Sequence, residues 1–142
     1  MIKVLAALLA LASPLAFAQT YEVKMLNRGA AGSMIYEPDF LDIALGDSVK
    51  FIATHSTHNA ASIPGIAPEG APAFKGKINE EITVRFDESG VYGIECIPHL
   101  AMGMVMLVRV GGADVPAPAI PESLPDRAIQ RLNAIVQREF DR

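Results

Sequence analysis

The stretch Cys96-Ile97-Pro98-His99-Leu100-Ala101-Met102-Gly103-Met104 carries a thiol, an imidazole three positions on and a thioether five positions beyond that. It joins two apolar runs, Val91 to Cys96 and Met104 to Val110, that read as strands, so these donors lie in or at the two ends of one short loop from Ile97 to Gly103. A His–Cys–His set with a weak axial Met is the donor combination of a blue-copper electron-transfer site. A structural zinc site more often uses four strong donors with two or more Cys or His pairs, which this chain does not provide. One further imidazole must come from upstream, and only His55 and His58 remain. His58-Asn59 opens the segment after the strand ending at Thr54, where a loop can meet the Cys loop at one pole. His58 is therefore the preferred ligand. His55 is the competitor, otherwise a solvated histidine near a strand end.

The cysteine count sharpens this reading. Cys96 is the single Cys of the chain, so no intramolecular disulfide can form. A free Cys is often just a small buried hydrophobe. That reading loses ground in a chain bound for an oxidising compartment, and this chain carries an export signal. Lys3 precedes the apolar run Val4 to Ala12, and Ala16-Phe17-Ala18 has the small-x-small pattern of a cleavage site. The run is shorter than the roughly 20 residues needed to span a bilayer, and Pro14 breaks it. Residues 1–18 are expected to be a cleaved signal peptide, with a periplasmic mature chain beginning at Gln19. Loss of Lys3 takes the net charge from −4 to −5. A mildly acidic chain lacks the basic face that nucleic acid requires.

Outward from the Cys loop the chain reads as short strands. Tyr21, Val23 and Met25 alternate with Glu22 and Lys24. Asn27-Arg28-Gly29 and Ala31-Gly32-Ser33 then carry turn chemistry. Phe40 to Leu45 and Ser48 to Thr54 are strands joined at Gly46-Asp47, and Ser62 to Gly76 is a long irregular connection. Ile82, Val84 and Phe86 face one way in the next strand, and Asp87 to Gly90 is a turn. About seven or eight strands at this spacing predict an antiparallel β-sandwich. Residues 19–112 make this domain. Residues 113–142 differ in kind: Pro116, Pro118 and Pro121 keep the chain extended. From Asp126, Ile129, Leu132, Ile135, Val136 and Phe140 recur at helical spacing, with Arg127, Arg131, Asn133 and Arg138 on other faces. This predicts a C-terminal helix packed on the same domain, not one lying on a membrane.

The pattern as a whole resembles the cupredoxins, the type 1 blue copper proteins, and within them the pseudoazurins. Met25-Leu26-Asn27, Phe74 to Glu80, Gly90-Val91-Tyr92-Gly93 and Cys96-Ile97-Pro98-His99…Met102-Gly103-Met104 carry the resemblance over nearly the whole mature chain. It implies an all-β, cupredoxin-like Greek-key sandwich of about eight strands with a C-terminal helical tail. It also puts His58, Cys96, His99 and Met104 on the ligands of one type 1 copper. Asn59 is then expected to offer its backbone N–H to the Cys96 sulfur, while Pro98, having no N–H, cannot. Met34 falls on a position implied to lie over His99, and core filling is the equal alternative. Met106 reads as core, and Ile97, Pro98, Leu100 and Met102 as an apolar rim around His99.

The implied function is a monomeric single-electron carrier, not an enzyme. Its expected partner is a copper nitrite reductase or another periplasmic oxidoreductase, with a cytochrome-type donor. The family's basic ring is only partly kept, in Arg28, Lys75 and Lys77; Glu95 and Ser56-Thr57 stand where basic residues and Gly are common. The family's first C-terminal helix gives way to the Pro-rich stretch. A copper oxidase or reductase would need a second His-rich site, which three His cannot build. A copper chaperone is the remaining alternative, but it favours exposed, exchangeable donors. A metal-free sandwich leaves the Cys-His-Met spacing unexplained.

Overall fold

In the computed structural model, which describes residues 16–141, the run Val105–Val110 is a strand buried at every position. The leader expected over residues 1–18 lies outside the described residues except for its last three. An apolar strand without polar alternation must be covered on both faces, and this one is. Met106, Val108 and Val110 join the core between two sheets, with Val23, Val49, Phe51 and Phe86. Val105 and Leu107 face the other way, against Ala128, Leu132 and Ile135 of the C-terminal helix.

Among the described residues, eight strands form two four-stranded sheets. In chain order they are β1 (Thr20–Gly29), β2 (Gly32–Glu37), β3 (Phe40–Ile43), β4 (Ser48–Ile52), β5 (Ala61–Ser62), β6 (Ile82–Arg85), β7 (Gly90–Glu95) and β8 (Val105–Val110). One sheet has the order β2-β1-β4-β6 and the other β3-β8-β7-β5. This is the expected Greek-key sandwich, with one correction. β1 pairs with β4 and β3 with β8 in parallel, so the sheets are mixed rather than antiparallel. The turn at Gly46-Asp47 explains part of this, because it carries the chain from one sheet to the other instead of closing a hairpin. Asp47 fixes that crossing, accepting from the Ala44 N–H at 2.9 Å and the Gln19 N–H at 2.8 Å.

A second correction concerns residues 27–33. Turn-forming types predicted a break at Asn27-Arg28-Gly29, yet β1 runs to Gly29 and β2 begins at Gly32. Arg28 pairs with Ser33 and Gly29 with Gly32, so ladder hydrogen bonding overrides local turn preference and only Ala30-Ala31 reverses the chain. The Cys loop is more regular than expected on either side of His99: Ile97–Met102 forms two short 3-10 turns joined by a kink at His99, whose φ of −120° and ψ of 17° are not helical.

The C-terminal helix α1 (Asp126–Glu139) has no side-chain cap at its N-terminus. A helix of that length is marginal alone, so packing must hold it. Leu132 and Ile135 are fully buried, each stabilising by about 1.5–3 kcal/mol. Arg131, expected on a face away from the core, instead donates to the carbonyls of Ser33, Met34 and Gly103.

Candidate metal centre

The end of β7, the start of β8 and the connection after β4 converge at one pole of the sandwich. Cys96 directly follows β7, His99 sits at the kink between the two 3-10 turns, and Met104 directly precedes β8. The two flanking strands pair over six residues, from Gly90 with Val110 to Glu95 with Val105. Cys96 then donates its N–H to the Met104 carbonyl at 3.0 Å, which closes the loop at its base. His58 arrives on the connection after β4. Its carbonyl accepts from the Asn79 N–H at 2.8 Å, and the Thr57 N–H donates to Asn79 Oδ1 at 2.6 Å. Thr57 reaches His58 at a φ of 79°, in the left-handed region. That conformation is unfavourable for a β-branched residue, and it gives the physical reason for a glycine preference at this position.

The donor atoms of His58, Cys96 and His99 form a tight triangle. The two Nδ1 atoms lie 3.1 Å apart, and Cys96 Sγ lies 3.7 Å from His58 Nδ1 and 3.4 Å from His99 Nδ1. A point equidistant from all three is roughly 2 Å from each, the reach of a metal–nitrogen or metal–thiolate bond. The donor chemistry and spacing therefore fit one soft, first-row metal ion. His58, Cys96 and Met104 are fully buried, and His99 is partly exposed. Met104 packs in the same core cluster as Cys96.

His58 is held for this task. Its Nε2 lies 2.7 Å from Asn27 Oδ1, an acceptor, so the ring proton sits on Nε2 and the Nδ1 lone pair faces the triangle. Burial pushes the His58 pKa below its ordinary value, with smaller contributions from His99 and His55, which favours the neutral ring that metals bind. His55 is engaged elsewhere, because its Nδ1 accepts from the Asn27 N–H at 2.9 Å.

Burial pushes the Cys96 thiol up; hydrogen bonds from the backbone N–H groups of Asn59 and His99 act against that, and Glu95 adds to it. The Asn59 N–H thus favours the thiolate, the direction expected of it. The Asn59 side chain does more than sequence reasoning found. Its Oδ1 accepts from the Ile97 N–H at 2.8 Å and its Nδ2 donates to the Gly76 carbonyl at 3.0 Å. Tyr36 Oη donates to the Asn59 carbonyl at 2.7 Å. One residue so ties the segment bearing His58 to the Cys loop and to Gly76. The bond that His58 donates to Asn27 was also missed, although Asn27 lies in a stretch that carried the family resemblance.

Around the site, Ile97, Pro98 and Met102 are exposed, while Leu100 packs partly into the cluster under the helix. Leu100 therefore belongs less to the rim than expected. Met34 is partly buried against the cluster that includes Cys96 and Met104. Lys75, Lys77, Ile78 and Ile97 line a surface depression beside Asn59.

Residues 23–111 match the family of copper binding proteins, plastocyanin/azurin family. A pseudoazurin of Paracoccus pantotrophus is 47% identical over 130 residues, covering 91% of this chain and 89% of the relative. A putative pseudoazurin of Rhizobium leguminosarum is 46% identical over 132 residues, covering 91% and 85%. Among solved structures, a pseudoazurin from Sinorhizobium meliloti superposes with a TM-score of 0.76 at 39% identity, covering 85% of this chain and 97% of that one. The pseudoazurin of Methylobacterium extorquens gives 0.71 at 38% identity, covering 83% and 99%.

Proposed function

This chain belongs to the pseudoazurins, within the plastocyanin/azurin family of copper-binding proteins, and from that premise we propose that it carries single electrons between periplasmic redox partners through one type 1 copper. His58 Nδ1, Cys96 Sγ and His99 Nδ1 would hold the ion as strong donors, with the Met104 thioether as the weak fourth donor. The observation that carries this reading is the triangle of the first three atoms, whose sides of 3.1, 3.4 and 3.7 Å suit a single metal ion. When bound, copper supplies a centre that gains and loses one electron without bond making in a substrate.

The chain's own residues do the rest. Paired strands β7 and β8 and the Asn59 bonds hold the donors in one arrangement, so little needs to move when the charge at the site changes. Burial of His58, Cys96 and Met104 keeps water from the thiolate. His99, the partly exposed ligand, offers the short route to a docked partner through the rim of Ile97, Pro98 and Met102. Export by a signal peptide over residues 1–18 accords with a single Cys held buried as a metal ligand. Residues 19–112 then make the copper domain, and residues 113–142 brace it. The acceptor that suits this chemistry is an acidic-faced periplasmic oxidoreductase such as a copper nitrite reductase.

Protein-film voltammetry of the chain loaded with one equivalent of copper tests the proposal. A reversible one-electron wave that persists over repeated cycles is expected. Loss of metal on reduction would instead favour a copper-delivery role.

A further inference from the structure

Arg131 lies in the middle of α1, yet all three of its hydrogen bonds go to main-chain carbonyls of distant segments. Nη1 donates to the Met34 carbonyl at 2.6 Å and to the Gly103 carbonyl at 2.8 Å. Nη2 donates to the Ser33 carbonyl at 2.7 Å. One planar guanidinium thus joins the start of β2, the end of the Cys loop and the C-terminal helix, a task suited to its fixed fork of donors.

The Gly103 carbonyl matters because its peptide plane also contains the Met104 N–H. That N–H donates to the His99 carbonyl at 3.2 Å. The plane is held at both ends, by Arg131 on the oxygen and by His99 on the nitrogen. Gly103 has a φ of 82°, and a Cβ there would come within 2.9 Å of the Arg127 carbonyl and 3.1 Å of Arg131 Cδ. The helix therefore presses on the loop at the residue before Met104, and only glycine permits that approach. Met34 adopts a φ of 49°, also left-handed, as it presents its carbonyl to the same group.

We propose that Arg131 is the positioning residue for Met104: by gripping the Gly103 carbonyl together with those of Ser33 and Met34, it fixes the peptide plane from which Met104 enters the metal site. The proposal rests on Met104 being the axial ligand. The helix then serves the metal centre as well as the core, because it carries the clamp that sets how firmly the thioether is held.

Arg131→Met keeps the apolar stem and removes the grip; Arg131→Lys keeps the charge without the fork. In the copper-free protein, amide hydrogen exchange at Met104 is expected to quicken about tenfold or more in Arg131→Met, as a hydrogen bond to a charged group implies. Val49, in the opposite sheet, should be unaffected. In the copper-loaded protein, the thiolate-to-copper absorption bands should shift and the reduction potential rise, because a looser thioether donates less to the oxidised metal. Arg131→Lys should shift each readout in the same direction but less, and it carries the test where Arg131→Met does not fold. Unchanged exchange at Met104 overturns the clamp. Faster exchange with unchanged bands and potential also overturns it, leaving Arg131 a purely structural tie. Met104→Ala separates that result from a wrong ligand: bands that ignore this variant too remove Met104 from the site, whereas bands that respond leave the ligand reading intact and reject the clamp alone.

Discussion

His58 Nε2 and Asn27 Oδ1 stand 2.7 Å apart, so a residue of β1 sets the orientation of a ring whose opposite nitrogen faces the Cys96 thiol. Asn27 also donates its own N–H to His55, which keeps that histidine away from the donor triangle. Removing the side-chain acceptor frees the His58 ring to rotate or to move its proton to Nδ1. Asn27→Ala should therefore weaken copper binding about 10–100-fold while the sandwich stays folded. Competition against a chelator of known affinity measures this, and wild-type affinity in the variant would show that the bond does not orient the ring.

Thr57 supplies a prediction about stability. A non-glycine residue in the left-handed region costs about 1–2 kcal/mol, partly offset in glycine by its larger loss of chain entropy on folding. The Thr57 N–H bond to Asn79 survives the change, since it is made by the backbone. Thr57→Gly should raise the stability of the copper-free protein by up to about 1 kcal/mol. Urea unfolding midpoints decide this; a lowered midpoint would mean that the Thr57 side chain makes contacts worth more than the strain.

The copper-free protein should also lose stability as pH falls through the histidine range. His58 is more acidic in the folded state than its ordinary value of 6.5, because burial and His99 oppose its charge. The folded state thus binds fewer protons than the unfolded chain at this site. The associated stability is present above pH 6.5 and is lost as pH drops below it. His58→Asn should flatten the dependence between pH 7.5 and 5. An unaltered slope in the variant would assign the effect to other groups.

Charge near the copper end should govern docking more than the overall net charge of −4. Screening leaves only charges within about 8 Å effective at physiological salt. Lys75 and Lys77 line the depression beside Asn59, and Arg28 follows Asn27 on β1. Stopped-flow electron transfer to an acidic partner should slow as ionic strength rises. Glu95 precedes Cys96 and subtracts from this field, so Glu95→Gln should steepen the dependence. Rates that climb with salt would mean that the local field is acidic and the partner basic.

Local patterns carried much of this molecule and failed where distant segments meet. The Cys96, His99 and Met104 donors were legible because they lie on one loop between strands whose apolar runs are plain. β8 was legible for the same reason, while β2 was not: Gly32 and Ser33 have turn chemistry, and only pairing with β1 makes them strand. Parallel pairing of β1 with β4 depends on where the Asp47 turn sends the chain, which periodicity does not encode. Arg131 was misread because helical spacing puts a charged residue on a solvent face. Its partners lie 28 to 98 residues away. The Asn59 side chain was silent in the same way, with partners 17 and 38 residues distant.

The central claim, that the Cys96 sulfur binds one copper ion together with His58 and His99, is tested most directly by titrating the purified chain from Gln19 onward with Cu(II) and recording its visible spectrum. The account predicts an intense thiolate-to-copper absorption that saturates at one equivalent, bleaches with ascorbate and is absent from folded Cys96→Ser. A chain that stays colourless with its thiol still titratable, or a band that survives Cys96→Ser, would contradict it.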